Sequence, residues 1–126
     1  MKRLASTVVV LGVMLAACAA TAQSQRTLDA FLTEANRIPL NATSALRPSA
    51  HRLKGEAERA LGAVMTGIRE DRAAGRTPAA CPPESISLNP RQLLGFLNGI
   101  PQARRQRMSV ADGFRAWMAS RYPCSA

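Results

Sequence analysis

Residues able to perform acid–base or metal chemistry are few and scattered in this chain. His51 is the one histidine, and the eight carboxylates are dispersed. Glu56 and Glu58 are two residues apart and so diverge on a helix, while Glu70 and Asp71 fall at a predicted helix end. Acid–base catalysis needs such groups held together, and a metal site needs several ligands at suitable spacing. The pattern favours a protein that is not an enzyme and has no metal or cofactor, with His51 on the surface.

The N-terminus has the layout of an export signal. Lys2 and Arg3 precede an apolar run, Leu4 to Ala17, whose length of about 14 residues is shorter than the roughly 20 needed to cross a bilayer. Two cleavage sites remain open. A lipobox would make Cys18 a lipidated first residue (signal 1–17), whereas ordinary signal peptidase would release a chain that begins at Gln23 (signal 1–22). Both place the protein in the periplasm, either lipid-anchored to the envelope or soluble.

Two cysteines remain after either cleavage, Cys81 and Cys124. Because an oxidising compartment lets an even pair close, we expect a disulfide between them. In the chain-entropy model, closing a loop of about 44 residues stabilises the fold by roughly 4 kcal/mol. A redox-active pair would have Cys-x-x-Cys spacing, which the sequence lacks, so the bridge is predicted to be structural.

Basic residues outnumber acidic ones. Without Lys2 and Arg3, 15 of the 17 basic residues remain against 8 acidic residues, a net charge of +7. This charge favours an acidic protein surface or anionic headgroups as partner, and it leaves open that the arginines are only solvated charge. Nucleic acid is not expected, because an exported protein rarely meets it and the basic residues are spread over every segment with no aromatic platform between them.

Helical periodicity occurs four times in the mature chain, and strand alternation of useful length does not occur. The residues after the signal, 23–126, are therefore predicted to form a single all-α domain, a small bundle of about four helices held by one disulfide. The predicted helices cover 27–37, 49–70, 89–99 and 109–122. Inner-face glycines among Gly55, Gly62 and Gly67 are expected to admit another helix closely, and Gly99 is expected to end its helix in a Schellman motif.

The connections between these helices are predicted to be irregular. The first, 40–48, is polar overall, and the other two carry arginines. Since loops carry function more often than helix faces do, the arginines of 71–88 and 102–108 are the candidate partner-binding residues. They are Arg72, Arg76, Arg104, Arg105 and Arg107.

Several short motifs follow one another in an unusual order: Cys81-Pro82-Pro83, the leucine-rich stretch 93–97, Ile100-Pro101, the stretch 109–114 and the closing Tyr122-Pro123-Cys124. Over roughly 60–124 this order resembles the C-terminal half of the Rap/Tai family of immunity proteins. Those are small, exported, all-helical proteins associated with type VI secretion. Their members bind and block peptidoglycan amidases that other cells deliver to the periplasm. The stretch 59–67 lacks the cysteine and tyrosine of the family's preceding helix.

The resemblance implies an immunity-like binding protein whose partner is an acidic protein surface, such as a secreted peptidoglycan amidase. A homodimer is compatible with this function. Two other classes stay open. A small periplasmic acid chaperone with a single disulfide would have this size, although one histidine and eight carboxylates provide few groups to titrate. A structural envelope lipoprotein would require lipid on Cys18.

Overall fold

The computed structural model describes residues 26–125, so the predicted signal sequence, both cleavage sites and Cys18 lie outside the described residues. The described part forms five α-helices: α1 (Leu28–Ala35), α2 (Pro48–Ala73), α3 (Pro90–Gly99), α4 (Gln102–Arg105) and α5 (Val110–Arg121). A 3-10 turn, Ser44–Leu46, lies between α1 and α2. No strand forms within residues 26–125, where Thr27 and Ser109 make an isolated β-bridge. The predicted all-α fold is confirmed.

Three of the four long helices begin where local side chains satisfy their free backbone N–H groups. The Thr27 side chain caps α1, and the Asn89 side chain caps α3, with proline at the first helical position. Ser109 and Asp112 form a reciprocal capping box at α5, with both hydrogen bonds 3.0 Å long. α2 begins at Pro48, whose ring fixes a helical φ. The starts of all four long helices therefore follow from residues next to them.

The core lies where α1, α3 and the long helix α2 pack around α5. Phe114 and Met118 of α5 are completely buried, as are Leu28 of α1 and Leu97 of α3. Trp117 is also a core residue, in agreement with its place on the apolar face of α5. Within residues 26–125 no helix is both long enough and apolar enough to cross a bilayer.

The close helix approach occurs at Gly113 of α5, and the prediction for α2 was wrong. A Cβ on Gly113 would lie 2.7 Å from Leu28 Cδ2 and 3.1 Å from Leu97 Cδ2. A Cβ on any of the α2 glycines, Gly55, Gly62 and Gly67, would meet no other helix. The leucine, valine and isoleucine side chains of α2 already fill its inner face, which leaves these glycines beside the contact.

α3 ends at Gly99 as predicted, but its C-terminal motif, the end of α2 and the segment 102–108 differ from the predictions. α3 ends with Ile100 in an extended conformation, because Pro101 disfavours a helical backbone before it, and Gly99 has no left-handed φ. The left-handed glycine is Gly75, with φ 71°, just after the end of α2. α2 extends to Ala73, so Arg72 is helical. The segment predicted as an irregular basic link contains a full helical turn, α4.

The predicted disulfide is present between Cys81 and Cys124, whose Cα atoms are 4.9 Å apart. Beside it the Cys81 N–H donates a hydrogen bond of 2.8 Å to the Tyr122 carbonyl oxygen. Ala80 and Pro82, the neighbours of Cys81, are buried. The bridge thereby fixes the long connection after α2 to the C-terminal end of α5.

Candidate binding surface

The charged residues of the described chain divide into two groups. Six of the eight carboxylates form ion pairs with six of the fifteen basic residues. Glu70 and Glu84 stay outside these pairs. Within residues 26–125, nine arginines have no carboxylate partner: Arg37, Arg47, Arg59, Arg69, Arg72, Arg91, Arg104, Arg107 and Arg121. The net positive charge is therefore concentrated in side chains that the fold does not neutralise.

The densest group of ion pairs joins α1 to α2. Arg26 donates to Glu34 at 2.5 Å and to Glu56 at 2.7 Å, and its guanidinium lies 5.8 Å from the centre of the Phe31 ring. Arg52 of α2 also pairs with Glu34. The hydrogen bond from Arg26, followed by that from Arg52, holds the pKa of Glu34 below its ordinary value. These charges stabilise the packing of the two helices.

Arg105 of α4 is also bound within the fold. Its Nε lies 3.2 Å from Asp29 Oδ1 in α1, and its Nη1 donates a 3.2 Å hydrogen bond to the Asn98 carbonyl oxygen near the end of α3. Only 17% of its side chain is exposed. Of the five candidate partner-binding arginines, Arg105 therefore has the clearest structural role, and little of it is accessible to another protein.

Arg104 and Arg107 line an open depression of about 420 Å³, together with Met108 and Asp112. The Arg107 Nε donates to the Ala103 carbonyl oxygen at 3.2 Å. Both arginines are exposed and have no carboxylate partner among residues 26–125. This open, shallow depression is thus bordered by two arginines whose charges no carboxylate of residues 26–125 neutralises.

The carboxylate in this depression is already engaged. Asp112 accepts hydrogen bonds from the Ser109 N–H at 3.0 Å and from Arg115 at 2.9 Å. The bond from the Ser109 backbone is the main cause that lowers the pKa of Asp112. Asp112 is therefore ionised at neutral pH, and its charge is compensated by Arg115 rather than by the two arginines at the rim.

The remaining candidates, Arg72 and Arg76, lie at the other end of α5. Arg76 pairs with Asp71 at 2.9 Å, and the Arg72 guanidinium lies 3.4 Å from the carbonyl oxygen of Pro82, beside the disulfide. α5 has 12 residues and so separates the two ends by about 18 Å. The structure does not bring all five predicted arginines together.

A surface that the sequence analysis missed lies in the connection between α1 and α2. Leu46 is 78% exposed and Leu40 is 48% exposed, whereas this segment was expected to be a polar linker. The signal in the sequence is two leucines outside any helical stripe, between Pro39 and Pro48.

No arrangement for metal chemistry is present in the described residues. His51 is exposed near the start of α2, as expected. Across residues 26–125 no three or more His, Cys, Asp or Glu side chains are grouped so as to hold a metal ion. The depression lined by arginines and the exposed leucines between α1 and α2 can contact a partner through charged and apolar side chains.

The predicted resemblance concerns the order of short motifs over 60–124. A comparison of the chain with family models, curated proteins and solved structures gave no match. Membership of the Rap/Tai family stays a prediction.

Proposed function

We propose that this protein is an exported helical binding protein of the immunity type, which binds an acidic surface of a peptidoglycan amidase and inhibits it. The observation that carries the proposal is the division of charge. Six carboxylates form ion pairs with basic residues of the same chain, whereas nine arginines have no carboxylate partner within residues 26–125. Such uncompensated charge attracts an acidic partner and suppresses association with basic ones.

Two further observations support the class of protein. The Cys81–Cys124 bridge is suited to an oxidising compartment such as the periplasm. The order of motifs over 60–124 resembles immunity proteins, whose targets are peptidoglycan amidases. We infer a periplasmic protein, either soluble or anchored through lipid on Cys18.

Arg104 and Arg107 are the first arginines to test for contact with the partner. They border the depression at the start of α5 and their charges are not neutralised by neighbouring carboxylates. Exposed charges act mainly through steering and rim contacts. Arg104 and Arg107 should therefore raise the rate of association with the partner at low salt. Arg105 positions α4 beneath them through Asp29 and Asn98.

The direct experiment uses the purified, disulfide-bonded protein and a panel of purified amidases, including any encoded beside its own gene. We expect one amidase to bind, to lose hydrolysis of isolated sacculi at equimolar protein, and to bind less tightly as salt increases. Failure of every amidase to bind the folded protein would overturn the proposal.

A pair of double variants separates the proposed surface from general charge. Arg104→Glu with Arg107→Glu should reduce the association rate with the inhibited amidase. The control double variant, Arg59→Glu with Arg69→Glu, makes the same change in net charge at exposed positions of α2. It should reduce the association rate less. Equal effects of the two double variants would mean that only net charge matters.

A separate experiment distinguishes the lipid-anchored protein from the soluble one. If the lipobox is used, the protein fractionates with membranes, and Cys18→Ala blocks processing or moves the protein to the soluble fraction. A mature N-terminus at Gln23, found by sequencing, would exclude the lipoprotein.

A further inference from the structure

The connection between α1 and α2 displays a leucine that the fold leaves uncovered. Leu46 is 78% exposed, far more than the other exposed large apolar side chains, Leu40 at 48% and Leu88 at 37%. The leucines of the core are at most 7% exposed. Leu46 therefore has no packing role that explains a large apolar side chain at this position.

The backbone that carries Leu46 is fixed by hydrogen bonds. The Ser44 N–H donates to Asn41 Oδ1 at 2.8 Å, the Ala45 N–H donates to the Asn41 carbonyl oxygen at 3.3 Å, and the Leu46 N–H donates to that of Thr43 at 3.3 Å.

The base of this turn is anchored to the rest of the protein. Ser44 is 2% exposed, and the 3-10 turn packs against α2. Pro48 begins α2 two residues after Leu46. Because the turn is held at its base, its backbone would lose little conformational entropy when a partner binds.

The segment that displays Leu46, residues 37–47, begins and ends with an arginine. Arg37 and Arg47 are both exposed, and neither has a carboxylate partner within residues 26–125. The hydrogen bond from the Ala45 N–H to the Asn41 carbonyl oxygen closes the turn. Leu40 directly precedes Asn41 in the sequence, and Leu46 directly follows Ala45. Protein interfaces commonly combine an apolar centre with a polar rim, and Leu46 and the two arginines could supply these two parts.

We propose that this segment, residues 37–47, which we call the leucine turn, is a docking surface for an acidic protein. Leu46 enters an apolar pocket of the partner, and Arg37 and Arg47 contact carboxylates around that pocket. The proposal goes beyond the proposed function, because it requires an acidic protein but no particular enzyme.

Charge and composition favour an acidic protein as the partner of the leucine turn over a second copy of the chain and over a lipid surface. A second copy of the chain would bring together two molecules that each carry a net charge of +7 after the signal, and two basic turns would repel each other. A lipid surface is normally bound by segments with several apolar and aromatic side chains. Residues 37–47 contain no aromatic residue, and Leu46 is the one large apolar side chain among them that is more than half exposed.

The experiment begins with a defined probe. The disulfide-bonded protein is immobilised and screened against a phage-displayed library of random linear peptides, and the strongest binder is synthesised. We expect enriched peptides that combine Asp or Glu with a large apolar residue. Leu46→Ser should weaken binding of the synthetic peptide roughly tenfold or more.

Matched variants serve as controls. Leu88→Ser removes the same side chain from another exposed site and should leave peptide binding unchanged. The double variant Arg37→Glu with Arg47→Glu should weaken peptide binding and reduce its salt dependence. The control double variant, Arg69→Glu with Arg91→Glu, should change both quantities far less. Because Leu46 is exposed, its variant should have the melting temperature of the parent protein.

Several results would overturn the proposal. The first is that the selected peptides lack acidic residues or bind the Leu46→Ser variant as tightly as the parent. The second is a dimer in analytical ultracentrifugation that Leu46→Ser dissolves, which would make the leucine turn an interface between copies. The third is Leu46-dependent binding to vesicles of phosphatidylglycerol and phosphatidylethanolamine, which would make it a membrane contact.

Discussion

The Arg105 guanidinium lies 3.2 Å from the Asp29 carboxylate, and the two side chains are only 17% and 18% exposed. This ion pair holds α4 against the first turn of α1, and the same guanidinium donates to the Asn98 carbonyl oxygen. Three helices therefore meet at one arginine. Its neighbours Arg104 and Arg107 have their charged groups on the surface. A single basic segment thus contains both a structural arginine and arginines free to meet a partner.

The first prediction separates these roles. Arg105→Ala should lower the free energy of unfolding by about 1 to 3 kcal/mol, because it leaves Asp29 half-buried without its partner and removes a charged hydrogen bond. Arg104→Ala should change it by less than about 0.5 kcal/mol, as is usual for an exposed position. Urea denaturation of both variants measures the difference. Equal stabilities would show that the ion pair contributes nothing.

The disulfide gives the second prediction. The bridge spans a sequence separation of 43 residues, and removing it with Cys81→Ser and Cys124→Ser together should lower stability by roughly 2 to 5 kcal/mol. The double variant leaves no odd thiol to form dimers between chains. Intact mass before and after alkylation tests whether the bridge forms in the native protein. Two free thiols without reductant would contradict it.

Acid should destabilise the contact between α1 and α2. The pKa of Glu34 is held below its ordinary value of 4.5, first by the hydrogen bond from Arg26 and then by that from Arg52. A carboxyl with a lowered folded-state pKa contributes stability that is fully present above the unfolded pKa and is lost as pH falls through the folded value. The free energy of unfolding should therefore be nearly constant from neutral pH to about pH 5 and decrease below it.

Two variants test the part of Glu34 in this acid dependence. Glu34→Gln should be less stable than the parent at neutral pH and should lose less stability on acidification. Glu70→Gln changes a carboxylate without an ion pair in the described residues and should retain the parent's dependence. Urea denaturation from pH 7 to about pH 3 provides the comparison. Identical slopes for Glu34→Gln and the parent would assign the acid sensitivity to other groups.

The parts of the fold that local chemistry determines were predictable from the sequence. The helical periodicity of α2 and the capping residues Thr27, Asn89 and Ser109 act within one or two turns, so their pattern is visible in a short window. The disulfide was also predictable, because two cysteines remain after the signal and form one pair. The helix α4 was missed because four residues are too few to show periodicity.

The surface was harder to predict because long-range packing determines which side chains remain exposed. Arg104 and Arg105 are adjacent in the sequence and have the same charge, and only the position of Asp29 in a distant helix makes one of them structural. Leu46 is exposed because Ser44 takes the buried place against α2. Such choices depend on the assembled tertiary structure, which periodicity and capping motifs in a short window do not determine.

The last prediction compares two glycines in helices. A Cβ on Gly113 would lie 2.7 Å from Leu28 Cδ2, between α5 and α1, so Gly113→Ala should force these helices apart and cost about 1 to 3 kcal/mol. A Cβ on Gly62 would meet nothing within 4 Å, and Gly62→Ala should stabilise α2 by up to about 1 kcal/mol through helix propensity. The same substitution thus changes stability in opposite directions at the two positions. Thermal and urea unfolding of both variants measure this contrast, and a neutral Gly113→Ala would mean that Leu28 can move aside without loss of packing.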